Sequence, residues 1–160
     1  MDTMTSDTLY MQQALELARL AAAEGEVPGG AVVVRDGRVI GTGRNRREQA
    51  GNALAHAEIE AINEACRTLG GWQLVGCTLY VTLEPCPMCA GAIINSRIER
   101  VVQGTLNPKA GSCGSVIDLF ALPYNHRPAV ITGVLEDACR DVLKQFFRQL
   151  RGRNGVTEEV

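Results

Sequence analysis

The chain lacks long apolar runs: nowhere in its 160 residues does a stretch approach the ~20 apolar residues needed to span a bilayer. Its N-terminal segment, MDTMTSDTLYMQQALELARL, also lacks the basic start and compact apolar core of a secretory signal peptide. Repeats, linkers and low-complexity segments are missing too. These absences predict one cytoplasmic domain over residues 1–160, with a core of about 8–151, short flexible termini and no membrane contact.

An excess of charge of one sign is also absent, since 16 Lys and Arg stand against 18 Asp and Glu. The net charge of −2 gives no overall sign of a nucleic-acid partner. Basic residues are nevertheless concentrated near the C-terminus, at Arg140, Lys144, Arg148, Arg151 and Arg153. Because a local basic patch can attract phosphate even where the total charge does not, this segment is a candidate for contact with nucleic acid.

The six cysteines would suffice for three disulfides, but nothing else marks the chain as secreted. Cys86 and Cys89 form a C-x-x-C pair downstream of a His-x-Glu. The other four are predicted to be reduced thiols, mostly in the core. They are Cys66, Cys77, Cys113 and Cys139, of which Cys113 is expected in a tight loop.

Two short motifs carry most of the chemistry: His56-Ala57-Glu58 and Pro85-Cys86-Pro87-Met88-Cys89. One imidazole and two thiolates are one ligand short of the four in a closed structural zinc site. The open position can hold a water, whose pKa zinc lowers towards neutrality. Glu58, two residues after the ligand histidine, can exchange protons with that water. The arrangement H-x-E…P-C-x-x-C therefore predicts a hydrolytic deaminase with one zinc ion per subunit.

A C-x-x-C pair alone has other interpretations, such as a redox pair or half of a structural zinc site. A redox pair would be expected just after a strand of a thioredoxin-like unit, with no His-x-Glu motif upstream. A non-catalytic, zinc-stabilised interaction domain is another alternative. Such a domain would require a fourth protein ligand for the zinc ion, and it would have no use for Glu58. His126 could be that ligand. Its position in a loop does not match the spacing of metal ligands in known motifs, so a structural or RNA-facing role is favoured.

Hydrophobic periodicity and turn residues predict alternating helices and strands. Helices are expected over 8–24, 53–69, 88–96 and 136–151, strands over 31–35, 38–41, 77–82, 100–103 and 130–132, and a polar loop over 44–51. Asp36-Gly37 is expected to form the turn of a hairpin between the first two strands. Both motifs then lie at helix N-termini, where the helix dipole favours thiolate over thiol. The order of elements predicts an α/β fold with one mixed sheet flanked by helices.

Aromatic residues are few, and three of them are candidates for substrate contact. Trp72 follows Gly70-Gly71 and is predicted to be a packing residue rather than a platform for a base. Phe146 and Phe147 lie in the last helix, where one ring should face the core and the other could flank a substrate loop.

The segments VPGGAVVV, GRN, AHAEIEAI, TLYVTLEPCPMCAGAIINSRIERVV, NPKAG and NHR resemble the bacterial tRNA-specific adenosine deaminases of the cytidine deaminase-like superfamily. The similarity runs from about Tyr10 to Arg151. It implies a three-layer α-β-α sandwich with a five-stranded mixed sheet, assembled as a homodimer. The implied substrate is the wobble adenosine of a tRNA anticodon stem-loop, which is converted to inosine.

Matched residue by residue, the resemblance implies that His56, Cys86 and Cys89 bind zinc, that Glu58 shuttles protons and that Asn45 binds the flipped base. Further substrate contacts are expected from Ala57, Asn107, Lys109, Phe147, Arg148 and Arg151. A deaminase of free guanine, cytosine or a nucleotide shares the zinc ligands and is the alternative function.

Two positions depart from the family pattern. Asn107 stands where an acidic residue is usual, and Gly29 in VPGGA replaces the usual valine of VPVGA. If the loop at Asn107 borders the nucleic-acid backbone, loss of the negative charge makes the site depend less on the ribose hydroxyl. Tolerance of single-stranded DNA is the resulting hypothesis. The alternative is that Asn107 merely caps a turn before Pro108.

Overall fold

The computed structural model describes residues 2–154. In chain order its elements are α1 (Thr3–Ala23), β1 (Gly30–Arg35), β2 (Arg38–Arg44), α2 (Arg47–Ala50), α3 (Ala57–Leu69), β3 (Cys77–Leu83), α4 (Pro87–Ser96), β4 (Arg100–Thr105), a 3-10 turn (Leu119–Ala121), β5 (Ala129–Thr132) and α5 (Glu136–Asn154). The C-terminal end was predicted to be flexible after residue 151, and residues 155–160 of it lie outside the described residues.

The helices and strands follow the predictions, apart from two helix starts, one additional short helix and strand ends that run further, most of all in β2, which ends at Arg44 instead of residue 41. Helix α1 begins at Thr3, well before residue 8, because the carboxylate of Asp2 accepts the Thr5 N–H (2.8 Å) and caps it. Helix α3 begins at Ala57 rather than at residue 53, because His56 is extended and forms its N-cap. The short α2 lies in the segment that was predicted to be a polar loop.

The strands form one five-stranded mixed sheet in the order β2-β1-β3-β4-β5. Strand β1 is antiparallel to both β2 and β3, whereas β3, β4 and β5 are parallel. The β1–β2 turn at Asp36-Gly37 has positive φ at both residues, as the sequence predicted for a two-residue hairpin. Because β3 and β4 are parallel, the loops that follow them leave the sheet at the same edge.

The sheet separates two apolar clusters, and this confirms the three-layer sandwich. One cluster joins α3 and α4 to one face of the sheet and includes Ala61, Ile93 and Leu79. The other joins α1 and α5 to the opposite face and includes Met11 and Cys139. Strand β1 is buried along residues 30–34 because both of its faces are covered.

Two glycines of β2 allow α3 to lie unusually close to the sheet. A Cβ at Gly43 would come within 2.1 Å of the carbonyl oxygen of Ala57, and one at Gly41 within 2.2 Å of that of Ala61. Both contacts are with helix backbone, so a side chain could be accommodated only by moving α3. Since Ala57 is the first residue of α3, these glycines help to place the His-x-Glu motif.

Two further predictions concern membrane contact and the state of the cysteines. None of the helices within residues 2–154 is long and apolar enough to cross a membrane. All six cysteines are free, which confirms the predicted thiols. Cys77, Cys113 and Cys139 are buried, and Cys66 is half-buried.

Candidate active site

Two helix starts converge at the sheet edge where β3 ends. His56 is the N-cap of α3 and Cys86 is the N-cap of α4, and both have extended backbone. The structure describes every residue of α3 and α4, and within them neither side chain accepts a hydrogen bond that would cap its own helix. Instead, the Sγ atoms of Cys86 and Cys89 lie 3.7 and 3.6 Å from Nδ1 of His56. The side chains are thus directed towards a common point.

The three ligand atoms have the spacing of a tetrahedral zinc site. They lie within 4.8 Å of one another, and no other such group of His, Cys, Asp and Glu occurs within residues 2–154. With Zn–S near ~2.3 Å and Zn–N near ~2.0 Å, tetrahedral geometry separates sulfur from nitrogen by about 3.5 Å. The observed separations are close to this value, so the residues present fit a zinc ion.

The two thiols differ in their electrostatics. A hydrogen bond from Cys89 and the contact with His56 lower the pKa of the Cys86 thiol to about 4, against the opposing effect of burial. The same hydrogen bond and burial raise the pKa of Cys89 far above its ordinary value. Thiolate is the form that ligates zinc, so binding of a metal would require Cys89 to lose its proton.

Glu58 is the second residue of α3 and is 7% exposed. Burial raises the pKa of its carboxyl to about 7, although His56 acts in the opposite direction. A carboxyl of this kind can both take and give a proton near neutral pH. Its position beside the thiols is what an acid–base group needs.

A pocket of about 590 Å³, including its open mouth, borders this cluster, with Cys89 behind its lining. The predicted residues that line it are Asn45, His56, Ala57, Glu58, Cys86 and Asn107. Those that sequence reasoning did not assign are Val27, Pro28, Arg47, Val81, Leu83, Glu84 and Ala110, together with Gly29. Lys109 is exposed and directly precedes Ala110 in the chain.

Asn45 is held in a fixed orientation at the pocket wall. Its side-chain N–H donates to the Val27 carbonyl (3.1 Å), and its Oδ1 accepts the Arg47 N–H (3.3 Å). Among the described residues these are its side-chain hydrogen bonds, so one further N–H and one lone pair are available to a ligand.

Asn107 is 3% exposed, and its side chain has a local partner. Its Oδ1 accepts the Ala110 N–H (3.2 Å), so that it caps the turn after Pro108. The geometry therefore corresponds to the turn-capping alternative, while the same residue also lines the pocket.

The structure does not bring Phe147 to the pocket. Its ring is 4% exposed and packs edge-on against Phe146 at 5.3 Å, so Phe147 is the ring that faces the core. Arg148 and Arg151 are exposed on α5. Gln149 shares a groove with Ala22 and Ala23, the last residues of α1, and the chain reaches the pocket a few residues later. The basic end of α5 therefore lies at the same end of the molecule as the pocket.

Two other residues can now be assigned. Trp72 is 58% exposed, and the Arg97 guanidinium lies 5.6 Å from its ring centre, so the packing predicted for this residue is a surface contact with Arg97. His126 donates from Nε2 to the Ile98 carbonyl (2.6 Å), a structural contact, which is one of the two roles that the sequence favoured over metal binding.

Two buried glutamates next to the site were missed. Glu84 and Glu26 are each 1% exposed. Glu26 accepts the backbone N–H groups of Glu48 (3.0 Å) and Gln49 (2.7 Å), and so fixes α2 beside the pocket. A charged residue directly before Pro85-Cys86 was the available signal for Glu84, but its partners are more than twenty residues away along the chain.

Comparison with known proteins decides the family. A family model for MafB19-like deaminases matches residues 5–151. The tRNA-specific adenosine deaminase of Bacillus subtilis (strain 168) is 50% identical over 149 residues, which cover 92% of this chain and 92% of that protein. The chain belongs to the tRNA-specific adenosine deaminase family.

Solved structures place this deaminase among related enzymes. One from a study of A-to-I editing by tRNA:A34 deaminases has a TM-score of 0.83 at 45% identity, over 85% of this chain and 99% of that chain. The guanine deaminase of Nitrosomonas europaea has a TM-score of 0.71 at 27% identity, over 87% and 83%. The fold predicted from the resemblance is thereby confirmed.

Proposed function

We propose that this enzyme converts the wobble adenosine of a tRNA anticodon to inosine. The observation that carries the proposal is the convergence of His56, Cys86 and Cys89 beside the buried carboxyl of Glu58, in a pocket at the basic end of the molecule. The family of the chain supports the same substrate.

His56, Cys86 and Cys89 would hold one zinc ion in each subunit. Zinc in such a donor set supplies Lewis acidity, which lowers the pKa of water towards neutrality. Cys86 and Cys89 both lie at the N-terminus of α4, where the helix dipole favours the thiolate form that zinc binds. The sulfur–nitrogen distances support this assignment.

Glu58 moves the protons of the reaction. It accepts one from the attacking water as the new C–O bond forms at C6 of adenine, and it delivers this proton to ring N1. It then transfers a proton from the C6 hydroxyl to the amino group, so that the C–N bond breaks and ammonia leaves. The products are inosine and ammonia. The burial of Glu58 beside the ligands supports this role.

Asn45 and Ala57 would hold the flipped base. The bonds to Val27 and Arg47 orient the Asn45 amide, and its remaining donor and acceptor match a purine edge. An anticodon loop presents its bases unpaired, so the cost of flipping the adenosine is modest. Lys109, Arg148 and Arg151 are exposed at this end of the molecule and would contact phosphate. We also expect the enzyme to be cytoplasmic and to form a homodimer. Light scattering of the purified protein tests the dimer.

The test is to incubate zinc-loaded protein with an arginine tRNA that carries an ACG anticodon, and separately with adenosine, guanine and cytosine. We expect inosine at the wobble position of the tRNA and no turnover of the free compounds. A second candidate function, free-base deamination, is favoured by the likeness to guanine deaminase. It would be established by release of xanthine from guanine while the tRNA stayed unmodified.

We also propose that single-stranded DNA is a weaker substrate. Asn107 is uncharged at the pocket wall, and the Asn107→Asp variant keeps the oxygen that accepts the Ala110 N–H. The variant therefore adds charge to the wall with little change of shape. We expect Asn107→Asp to reduce deamination of adenine in DNA more than in tRNA. An equal loss on both substrates would mean that Asn107 is only a turn cap.

A further inference from the structure

Glu84 lies immediately after β3 and is surrounded by the segment that follows β4. Its Oε1 accepts the Asn107 N–H (3.0 Å) and the hydroxyl of Ser115. Its Oε2 accepts the N–H groups of Cys113 (3.1 Å) and Ser115 (2.9 Å). With 1% exposure, the carboxylate is held by four donors from one loop and has little contact with water.

The loop is closely fitted to this carboxylate. A Cβ at Gly111 would come within 2.3 Å of Cδ of Glu84, so glycine is required for the loop to pass so close. The Ser112 N–H donates to the Pro85 carbonyl (2.9 Å), and the Glu84 N–H donates to the Thr105 carbonyl (2.9 Å). Residues 107–115, here called the loop wall, are therefore tied to the end of β3.

The loop wall also borders the pocket. Asn107 and Ala110 line it together with Glu84 itself, and the neighbouring Lys109 is exposed. We infer that Glu84 is a positioning residue that holds the loop wall in the place where the adenosine of the tRNA binds. This inference rests on the proposed function, since it assigns the loop wall to substrate binding.

Both carboxylate oxygens of Glu84 are engaged by the loop wall. Oε1 and Oε2 each accept two hydrogen bonds from it. Burial alone would raise the pKa of Glu84, but the same hydrogen bonds outweigh it and lower the pKa below its ordinary value. The geometry therefore assigns Glu84 to holding the loop, in contrast to the acid–base role proposed for Glu58.

Glu84→Gln is the direct test. An amide presents –NH₂ where one carboxylate oxygen accepted hydrogen bonds, and at least one backbone N–H of the loop wall is left without an acceptor in either orientation. We expect KM for the tRNA to rise about tenfold, the equivalent of one lost hydrogen bond to a charged group, with kcat and zinc content nearly unchanged. Zinc content is measured by atomic emission.

Gly111→Ala disturbs the same contact without changing any charge and decides the matter if Glu84→Gln does not fold. We expect a similar rise in KM from it. The matched control Ser115→Ala removes the hydroxyl donor and keeps the three N–H donors, so its KM should rise less.

Loss of zinc and of kcat at unchanged KM would overturn the inference and make Glu84 a support of Cys86. Unchanged kinetics in all three variants would also overturn it. An inactive wild type would instead refute the proposed function.

Discussion

The pocket has two walls that are built in different ways. The helix-start wall, made by His56, Glu58, Cys86 and Cys89, consists of side chains at the first residues of α3 and α4. The loop wall, residues 107–115, has no regular secondary structure and is held by the buried carboxylate of Glu84. In the proposed function the first wall carries the reactive groups, and the second shapes the space beside them. Variants of the first should therefore change metal content and kcat, and variants of the second should change KM.

The largest effect is expected from the ligands of the helix-start wall. Cys86→Ser and Cys89→Ser should lose zinc and all measurable activity and should unfold at lower temperature, because metal binding and folding are coupled. Metal analysis and thermal unfolding check this, with the half-buried Cys66→Ser as the matched control. Full zinc occupancy in both variants would require other ligands, with Cys113 or His126 tested first.

Glu58→Ala should leave zinc and the fold in place while kcat falls by at least about a hundredfold, the usual scale for a lost acid–base group. Glu58 is buried next to the ligands, but it is not one of the three residues whose ligand atoms converge. Single-turnover deamination of tRNA and metal analysis measure the two quantities. A variant that lost its zinc would show that Glu58 is a ligand, and the separation of roles within this wall would fail.

Asp7→Asn should destabilise the fold without affecting either wall. Burial would raise the pKa of Asp7, but hydrogen bonds from Arg100 (2.8 Å) and Tyr80 (2.7 Å) outweigh it and lower the pKa below 3.8. This depressed pKa contributes stability above pH ~4 that is lost as the pH falls through the folded-state pKa. At pH 7 the variant should lose about 3 kcal/mol of the free energy of unfolding.

Urea denaturation at several pH values checks the Asp7 prediction. The difference between wild type and variant should shrink at acidic pH, and kcat and KM of the folded protein should not change. Tyr80→Phe, which removes a single hydrogen bond to the same carboxylate, should cost only about 1 kcal/mol. A pH-independent difference would mean that the charge of Asp7 is not what stabilises the fold.

Replacing Arg148, Arg151 and Arg153 by Gln should weaken tRNA binding through the surface outside both walls. Binding of a cationic side chain to phosphate releases counterions, so the slope of log affinity against log salt should fall by about 0.7 for each phosphate that is no longer neutralised. Binding titrations at several salt concentrations measure it. Arg38→Gln, in the hairpin at the opposite end of the sheet, is the control and should change neither affinity nor slope. An unchanged slope in the triple variant would remove α5 from the binding surface.

The smallest effect is expected from Gly29→Ala at the pocket wall. The new Cβ would lie 3.7 Å from Cβ of Asn45 and 4.0 Å from Cβ of Ala57, which is ordinary contact. Stability should change by less than about 0.5 kcal/mol. Turnover of tRNA should stay near the wild-type value, as steady-state kinetics will show. A loss of kcat would mean that the space at Gly29 is needed for catalysis.

Much of the fold could be predicted from local patterns. The strands, the Asp36-Gly37 turn and α4 were expected close to where they occur, because apolar periodicity and turn residues act over short distances. The start of α3 was misplaced because nothing local distinguishes the extended N-cap His56 from a helical residue. The exposure of Trp72 could not be predicted for a similar reason, since burial depends on what packs above a residue.

The helix-start wall could be predicted from two short motifs, because their spacing places His56, Glu58, Cys86 and Cys89 at helix N-termini. The chemistry of a zinc site also needs those residue types. The loop wall, by contrast, depends on contacts between segments that are distant along the chain. Glu84 is separated from Ser115 by 31 positions, and most of its donors are backbone N–H groups, which every residue except proline carries. Such contacts leave almost no mark on residue identity. They arise because β3 and β4 run parallel and deliver both segments to the same edge of the sheet.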